Sequence, residues 1–308
     1  MELLAIAIAP GIAISLFILH RDAFNREPKL NLIVSFILGM VSIVPAMIIE
    51  DAFYDKSDFS ISGILWKAFV VVALTEEAVK YAALRTYSYT RRSFDEPLDG
   101  IVYSVMVSMG FATLENILYV QKFGMMVGVQ RMFMAVPAHA TFGVLMGYFA
   151  GKAKFAPPAK RAMLLLTGLL WATFFHGAYD FFLFLGESPE VRQSVSNVLL
   201  LAGAITSLIV AARLSLRHIN AHRQLSLLAN HYQPTALMHG ILPSSRPELI
   251  LRVASSEDKT LIRQMAHHIW PLTYQQILSP QQLDYMLQLI YSPAALQTQM
   301  QNGQTFFR

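Results

Sequence analysis

Apolar residues run along this chain in long blocks, broken by short polar connections. Seven blocks can be read, at about 3–19, 30–49, 61–84, 98–120, 129–150, 162–185 and 195–212. A run of about 20 apolar residues is the length that crosses a hydrocarbon core ~30 Å thick. Only a helix can satisfy its own backbone there without a closed barrel. The pattern therefore predicts an all-α polytopic membrane protein with about seven transmembrane helices. After about Arg213 the apolar runs shorten. There 216–246 reads as a linker punctuated by Pro234, Gly240 and Pro243, and 248–254 as a short strand. Amphipathic helices are expected over 257–269 and 280–289, giving a short α+β fragment at the end.

Composition agrees and narrows the choice. Of 308 residues 55% are apolar and 14% are charged, against ~25% charged in soluble domains. A soluble enzyme is excluded for most of the chain. Cysteine is absent, which removes disulfides, thiolate metal sites and cysteine nucleophiles. The net charge of +4 is scattered among connections, so no nucleic-acid partner is expected. The first block has Glu2 and no basic residue ahead of it, unlike a cleaved signal, and reads as a retained helix.

The basic residues orient the chain. Alternate connections and the tail hold Arg21, Arg26, Lys29, Arg85, Arg91, Arg92, Lys152, Lys154, Lys160, Arg161, Arg213, Arg217 and Arg223. The others hold only Lys56, Lys122, Arg131 and Arg192. Cytoplasmic loops retain positive charge. The expected location is the inner membrane, with the N-terminus outside and the C-terminus cytoplasmic.

Several blocks contain ionisable residues, each costing about 2.5–3.5 kcal/mol at a helix centre. The third carries Glu76, Glu77 and Lys80; the fourth, Thr113, Glu115 and Asn116; the fifth, His139 and Thr141; the sixth, His176 and Asp180. Lys80 lies one helical turn from both glutamates and can offset one of them. Asp180 lies one turn from His176 and can fix its tautomer. Gly143, Gly147 and Gly151 form a small-residue stripe suited to close helix approach. Asn116, Thr113 and Thr141 read as interhelical glue, Lys80 and Asp180 as charge-balancing support. Arg131 reads as a snorkelling residue, and Lys67 as the same or as a partner for a nearby acid. Glu76, Glu77, Glu115, His139 and His176 are the candidate reactive groups, since uncharged residues would supply glue at lower cost.

A carboxylate can act as general base on water while a histidine protonates a leaving amine or holds an oxyanion. The same residues can instead ligate a metal such as zinc, with Glu115, His139 and His176 as a ligand set leaving one open position. A proton-coupled transporter uses similar Glu/His relays, and a non-catalytic scaffold would only pair these acids internally. Spacing does not choose among these. With these block ends Glu115 lies towards the outer end of its helix and Glu76 towards the inner side. A shared site then requires tilt, a re-entrant segment or shifted ends.

The ordered motifs Glu76-Glu77-x-x-Lys80, Phe111-Ala112-x-x-Glu115-Asn116, His139 with its glycine stripe, and His176-x-x-x-Asp180 resemble those of the PrsW family of intramembrane proteases. That family sits within the wider CAAX-processing and bacteriocin-processing group. The resemblance covers about 1–215 and includes Glu27-Pro28-Lys29 and Pro45-Ala46-x-x-x-Glu50. It implies hydrolysis of a membrane-anchored protein, typically an anti-sigma factor, at or near the membrane boundary. Carried over, Glu76, Glu77, Glu115, His139 and His176 are the active-site residues, with Lys80, Asn116 and Asp180 in support. Family members are often named metalloproteases, while related enzymes are argued to use a glutamate-activated water, so metal dependence stays open here. Residues 247–308, with Leu251-Arg252-Val253-Ala254 and Ile269-Trp270-x-x-x-Tyr274, resemble the opening of a GNAT-type N-acetyltransferase. The glycine-rich pyrophosphate loop of such enzymes lies beyond that opening. An incomplete fusion is therefore expected, with neither acetyl-CoA binding nor transferase activity.

Overall fold

Helix α2 (Lys29–Phe53) shows how the bundle is built. It buries Leu32, Ser35, Gly39, Ser42, Ile43 and Ala46 and exposes Ile33, Ile37, Val41, Val44 and Ile48. Four of the six buried side chains are small or hydroxyl-bearing, while the outward positions are large and aliphatic. That arrangement suits a lipid surround, where close helix approach rather than hydrophobic exclusion drives packing. The computed structural model describes residues 2–22, 25–54, 57–231, 254–274, 278–302, 304 and 306. It divides into two units, Met1–Pro234 and Thr235–Arg308.

The first unit contains α1 (Glu2–Arg21), α2, α3 (Ile61–Trp66), a π-helical segment (Lys67–Leu74) and α4 (Thr75–Thr86). It continues with α5 (Pro97–Phe123), α6 (Met125–Phe133), α7 (Ala135–Phe155), α8 (Pro158–Phe184), α9 (Pro189–Ser194) and α10 (Asn197–His231). Among the described residues six helices are long and apolar enough to cross a membrane, and no strand occurs. The third of the seven expected blocks is helical from Ile61 to Thr86 but is divided by its π-helical stretch. The chain is thus an all-α, multi-pass membrane protein.

Helix α5 is the centre of the unit: residues 98–113 are buried without interruption. It packs against α1, α2 and α7, and α8 packs on α7 and the π-helical segment. Backbones touch where glycines lie in the helix interfaces. A Cβ on Gly147 would run into the Gly100 carbonyl, and one on Gly110 into the Phe36 carbonyl. The connection after α4 is folded into the protein, with Ser88, Tyr89, Phe94 and Glu96 buried. Glu76 and Glu115 both reach His139, at 3.9 and 3.0 Å, so the mismatch in depth expected from the sequence does not occur.

Helix α10 runs through 216–231, the first part of the stretch read as a linker. Its buried face there is Ser215, Ile219, His222 and Ser226, at successive helical turns. Ser215 donates to the Thr141 carbonyl at 3.1 Å and Ser226 to Glu96 at 2.6 Å. Tyr148 stacks on His218 and His222, with centroids 3.8 and 4.4 Å apart. That contact face has Ile219 alone among serine and histidine, so a search for apolar runs passes over it.

In the second unit α11 (Lys259–Tyr274), α12 (Pro280–Tyr291) and α13 (Pro293–Gln301) pack together. They bury Ile262, Ala266, Leu287 and Leu296, and Trp270 meets the Tyr291 ring edge-on at 5.4 Å. Helix α13 was not expected from the sequence. Residues 232–246 of the linker and 248–253 of the expected strand lie outside the described residues. Ala254 donates its N–H to the Phe306 carbonyl at 2.8 Å.

Candidate active site

The π-helical segment ends just before Glu76 and presents Phe69 to α8, where it packs on Gly177 beside His176. π-Helical turns are rare and frequently occur at functional sites. Beyond it α4 turns Glu76, Glu77 and Lys80 all into the protein. Lys80 Nζ donates to Glu76 Oε2 at 3.0 Å and to Glu77 Oε1 at 2.9 Å. It sits 4.1 Å from the centroid of the Phe111 ring. An ammonium buried this way needs an anionic partner, because an unpaired charge costs several kcal/mol out of water.

Lys80 Nζ also lies 3.1 Å from His139 Nδ1. An ammonium can only donate, so Nδ1 accepts and the imidazole proton is on Nε2. That N–H donates to Glu115 Oε2 at 3.0 Å. His176 lies between two acids, Nδ1 at 2.9 Å from Glu77 Oε1 and Nε2 at 3.2 Å from Asp180 Oδ2. The spacing of His176 and Asp180 is realised as a direct contact. Glu76 Oε2 bridges the two histidines, 3.9 Å from His139 Nδ1 and 4.0 Å from His176 Nε2. The five candidate groups, drawn from α4, α5, α7 and α8, therefore form one connected network.

A cavity of about 660 Å³ opens onto this network. Glu76, Glu115, His139, His176 and Asp180 line it, together with apolar side chains that include Ile43, Val72, Leu118 and Phe184. Glu77 does not line it and is completely buried. The adjacent glutamates thus separate: Glu76 faces the cavity, while Glu77 holds Lys80 and His176 from behind.

Two residues take places that the sequence reading did not assign. Arg131 does not snorkel; its Nη2 is 2.6 Å from Glu115 Oε2, its Nε donates to Asn116 Oδ1 at 3.1 Å, and it covers the Tyr119 ring. Glu50, read only as part of an early motif, lines the cavity with Oε1 buried and unpartnered. Its position was a signal in itself, since an acid in the last turn of a helix opposes the helix dipole. Asn116 acts as glue, donating to the Ala7 carbonyl of α1 at 3.0 Å. Lys67 donates to the Asp58 carbonyl at 2.6 Å.

One oxygen or nitrogen each of Glu76, Glu77, His139 and His176 lies within 4.8 Å of the others. Two imidazoles and two carboxylates suit a divalent transition metal, and Glu77 Oε2 is buried without a partner. This set has Glu76 and Glu77 where the sequence reading had Glu115, whose carboxylate is engaged by His139 Nε2 and Arg131. Lys80 stands at the same donors, so an ion and the ammonium are alternative occupants of that point.

The sequence matches the description "PrsW family intramembrane metalloprotease" over residues 27–239, which contain every group in this network. The chain belongs to the PrsW family. Protease PrsW of Geobacillus kaustophilus is 38% identical over 186 residues, covering 60% of this chain and 81% of that protein. Protease PrsW of Bacillus subtilis is 37% identical over 181 residues, covering 59% of this chain and 82% of the relative. Protease PrsW of Halalkalibacterium halodurans is 32% identical over 200 residues, covering 65% and 92%. No solved structure matches the chain. PrsW membership decides between the protease and transporter readings: the chain is an intramembrane peptide hydrolase, and its buried Glu/His group is one that could hold the metal its family description implies.

Proposed function

We propose that Glu76 activates the attacking water and that the scissile peptide enters the 660 Å³ cavity. The observation carrying this is that Glu76, Glu115, His139 and His176, from four separate helical segments, line one cavity. Lys80 engages Glu76 through Oε2, which leaves Oε1 to take a proton from water. The same carboxyl can return that proton to the leaving amine. Glu77 fixes the His176 ring, and Arg131 with His139 fixes Glu115 on the opposite wall.

His139 and His176 are the residues that would hold a divalent metal, zinc by donor type, with Lys80 withdrawing onto Glu77 and Glu76 left to act on the water. When bound, such a metal polarises the scissile carbonyl and makes water more acidic. The proposed substrate is a single-span, membrane-anchored protein of the anti-sigma-factor kind, in the inner membrane.

Cleavage of a single-span substrate by purified protein tests this reading. Wild type should cut it, Glu76→Gln should lose about 10²–10⁴-fold, the effect of removing a positioned base, and a chelator should stop cleavage until zinc is restored. Elemental analysis should find zinc in the wild type and none in the His139→Ala/His176→Ala protein. Full cleavage by Glu76→Gln would overturn the assignment. Cleavage that persists in a zinc-free, chelated sample would overturn the metal.

A further inference from the structure

A second group of buried acids lies where the end of α1 meets the start of α5. Asp99 is sixteen residues before Glu115 on α5, about 24 Å along a helix at ~1.5 Å per residue. Asp22, Glu27, Glu96 and Asp99 are 1%, 6%, 5% and 0% exposed. Each gives one oxygen to a protein donor. Asp99 Oδ2 accepts the N–H groups of Asp95 and Glu96, both at 2.8 Å, and Glu96 Oε2 accepts the Ser226 hydroxyl at 2.6 Å. Asp22 Oδ2 accepts the Glu27 N–H at 3.4 Å, and Glu27 Oε2 accepts the Tyr103 hydroxyl.

The remaining oxygens are the unusual ones. Asp22 Oδ1, Glu96 Oε1 and Asp99 Oδ1 are buried with no hydrogen-bond partner. Asp22, Glu96 and Asp99 each place an oxygen within 4.8 Å of the other two. Among the described residues no lysine, arginine or histidine forms an ion pair with any of these acids. Arg26 and Lys154 act on them only from farther away. Burial accordingly pushes the Asp22 carboxyl up to about 7 and raises Glu27 and Glu96. Buried carboxylates left this way are expensive unless they are neutralised or coordinate a cation.

We propose that Asp22, Glu96 and Asp99 form a site for a hard divalent cation, Ca²⁺ or Mg²⁺, separate from the Glu/His centre. The donors are carboxylate oxygens, which select such cations over softer metals. Their orientation is set in advance, because each ligand's other oxygen is tied to backbone or to Ser226. A cation there joins the end of α1 to the start of α5 and, through Glu96 and Ser226, to α10. It acts on assembly of the bundle rather than on the peptide.

Ca²⁺ titration of chelator-stripped protein in detergent, followed by thermal unfolding, tests this. The His139→Ala/His176→Ala protein is run in parallel to silence the other centre. At a hundredfold excess over Kd the unfolding midpoint should rise by roughly 5–10 °C in both proteins. The rise should vanish in Asp99→Asn and in Glu96→Gln. Each substitution keeps an acceptor for the existing donors, so these variants should fold without cation and unfold no earlier than stripped wild type. Mn²⁺ binding measured by electron paramagnetic resonance should show one tight ion in the histidine variant and none once Asp99→Asn is added. A cluster that only shares protons would show no shift in wild type, and an adventitious ion would shift all variants equally. Either result overturns the proposal.

Discussion

Glu76 and Glu77 are neighbours in the chain with different surroundings. About 100° of helical rotation separates them, which sends one to the cavity and the other into a pocket closed by Lys80 and His176. Their isosteric variants should therefore fail in different ways. Glu76→Gln removes the cavity-facing base but leaves Lys80 paired to Glu77, so activity should fall while thermal unfolding barely moves. Glu77→Gln strips a carboxylate from both Lys80 and His176, and loss of a buried partner of this kind costs about 3 kcal/mol. Unfolding in detergent should show that loss for Glu77→Gln alone. Equal destabilisation by the two variants would contradict the separate roles. The sequence made both glutamates candidates because charges inside apolar blocks need a reason. It could not divide their work, since that depends on where a π-helical segment sets the phase of α4.

Between elements, contact distance rests on glycine. Gly147 and Gly151 of α7 face Gly100 and the Pro97 carbonyl of α5, and a Cβ at either position would collide with backbone rather than with a movable side chain. His139 projects from α7 and Glu115 from α5, so this interface also sets their 3.0 Å contact. Gly147→Leu should push the helices apart, with an overpacking cost of about 1–3 kcal/mol. It should lower cleavage at least tenfold in protein that still inserts, measurable as activity per folded molecule by gel filtration and cleavage together. Normal activity would mean the interface is slack. The stripe was legible in advance because small residues one turn apart have few other uses in a membrane helix. The lower half of α10 was not legible, because three of its buried positions, Ser215, His222 and Ser226, are polar and leave Ile219 without an apolar run around it.

For the molecule as a whole, the cavity lies at one end of the bundle. Its lining comes from Glu50 and Tyr54 at the end of α2, Leu118–Phe123 at the end of α5, the start of α7, and Leu183–Glu187 after α8. Chain direction puts all of these at the end away from the arginine- and lysine-rich connections. That is the outer side if positive charge stays inside. The block pattern made the long helices legible, and the charge alternation predicts their orientation across the membrane. The meeting of Glu76 with Glu115 was hidden, because block ends read from hydropathy do not say how α4 and α5 are placed against α7. Together they predict that cleavage occurs near the extracytoplasmic boundary of the substrate's span. A single-span substrate tagged at both ends, cleaved in oriented vesicles and analysed by mass spectrometry, should be cut within a few residues of that boundary. Labelling of a cysteine introduced beside Lys122 by an impermeant reagent should report the same side. A cut at the cytoplasmic boundary, with Lys122 still outside, would mean the substrate reaches Glu76 by another path than this cavity.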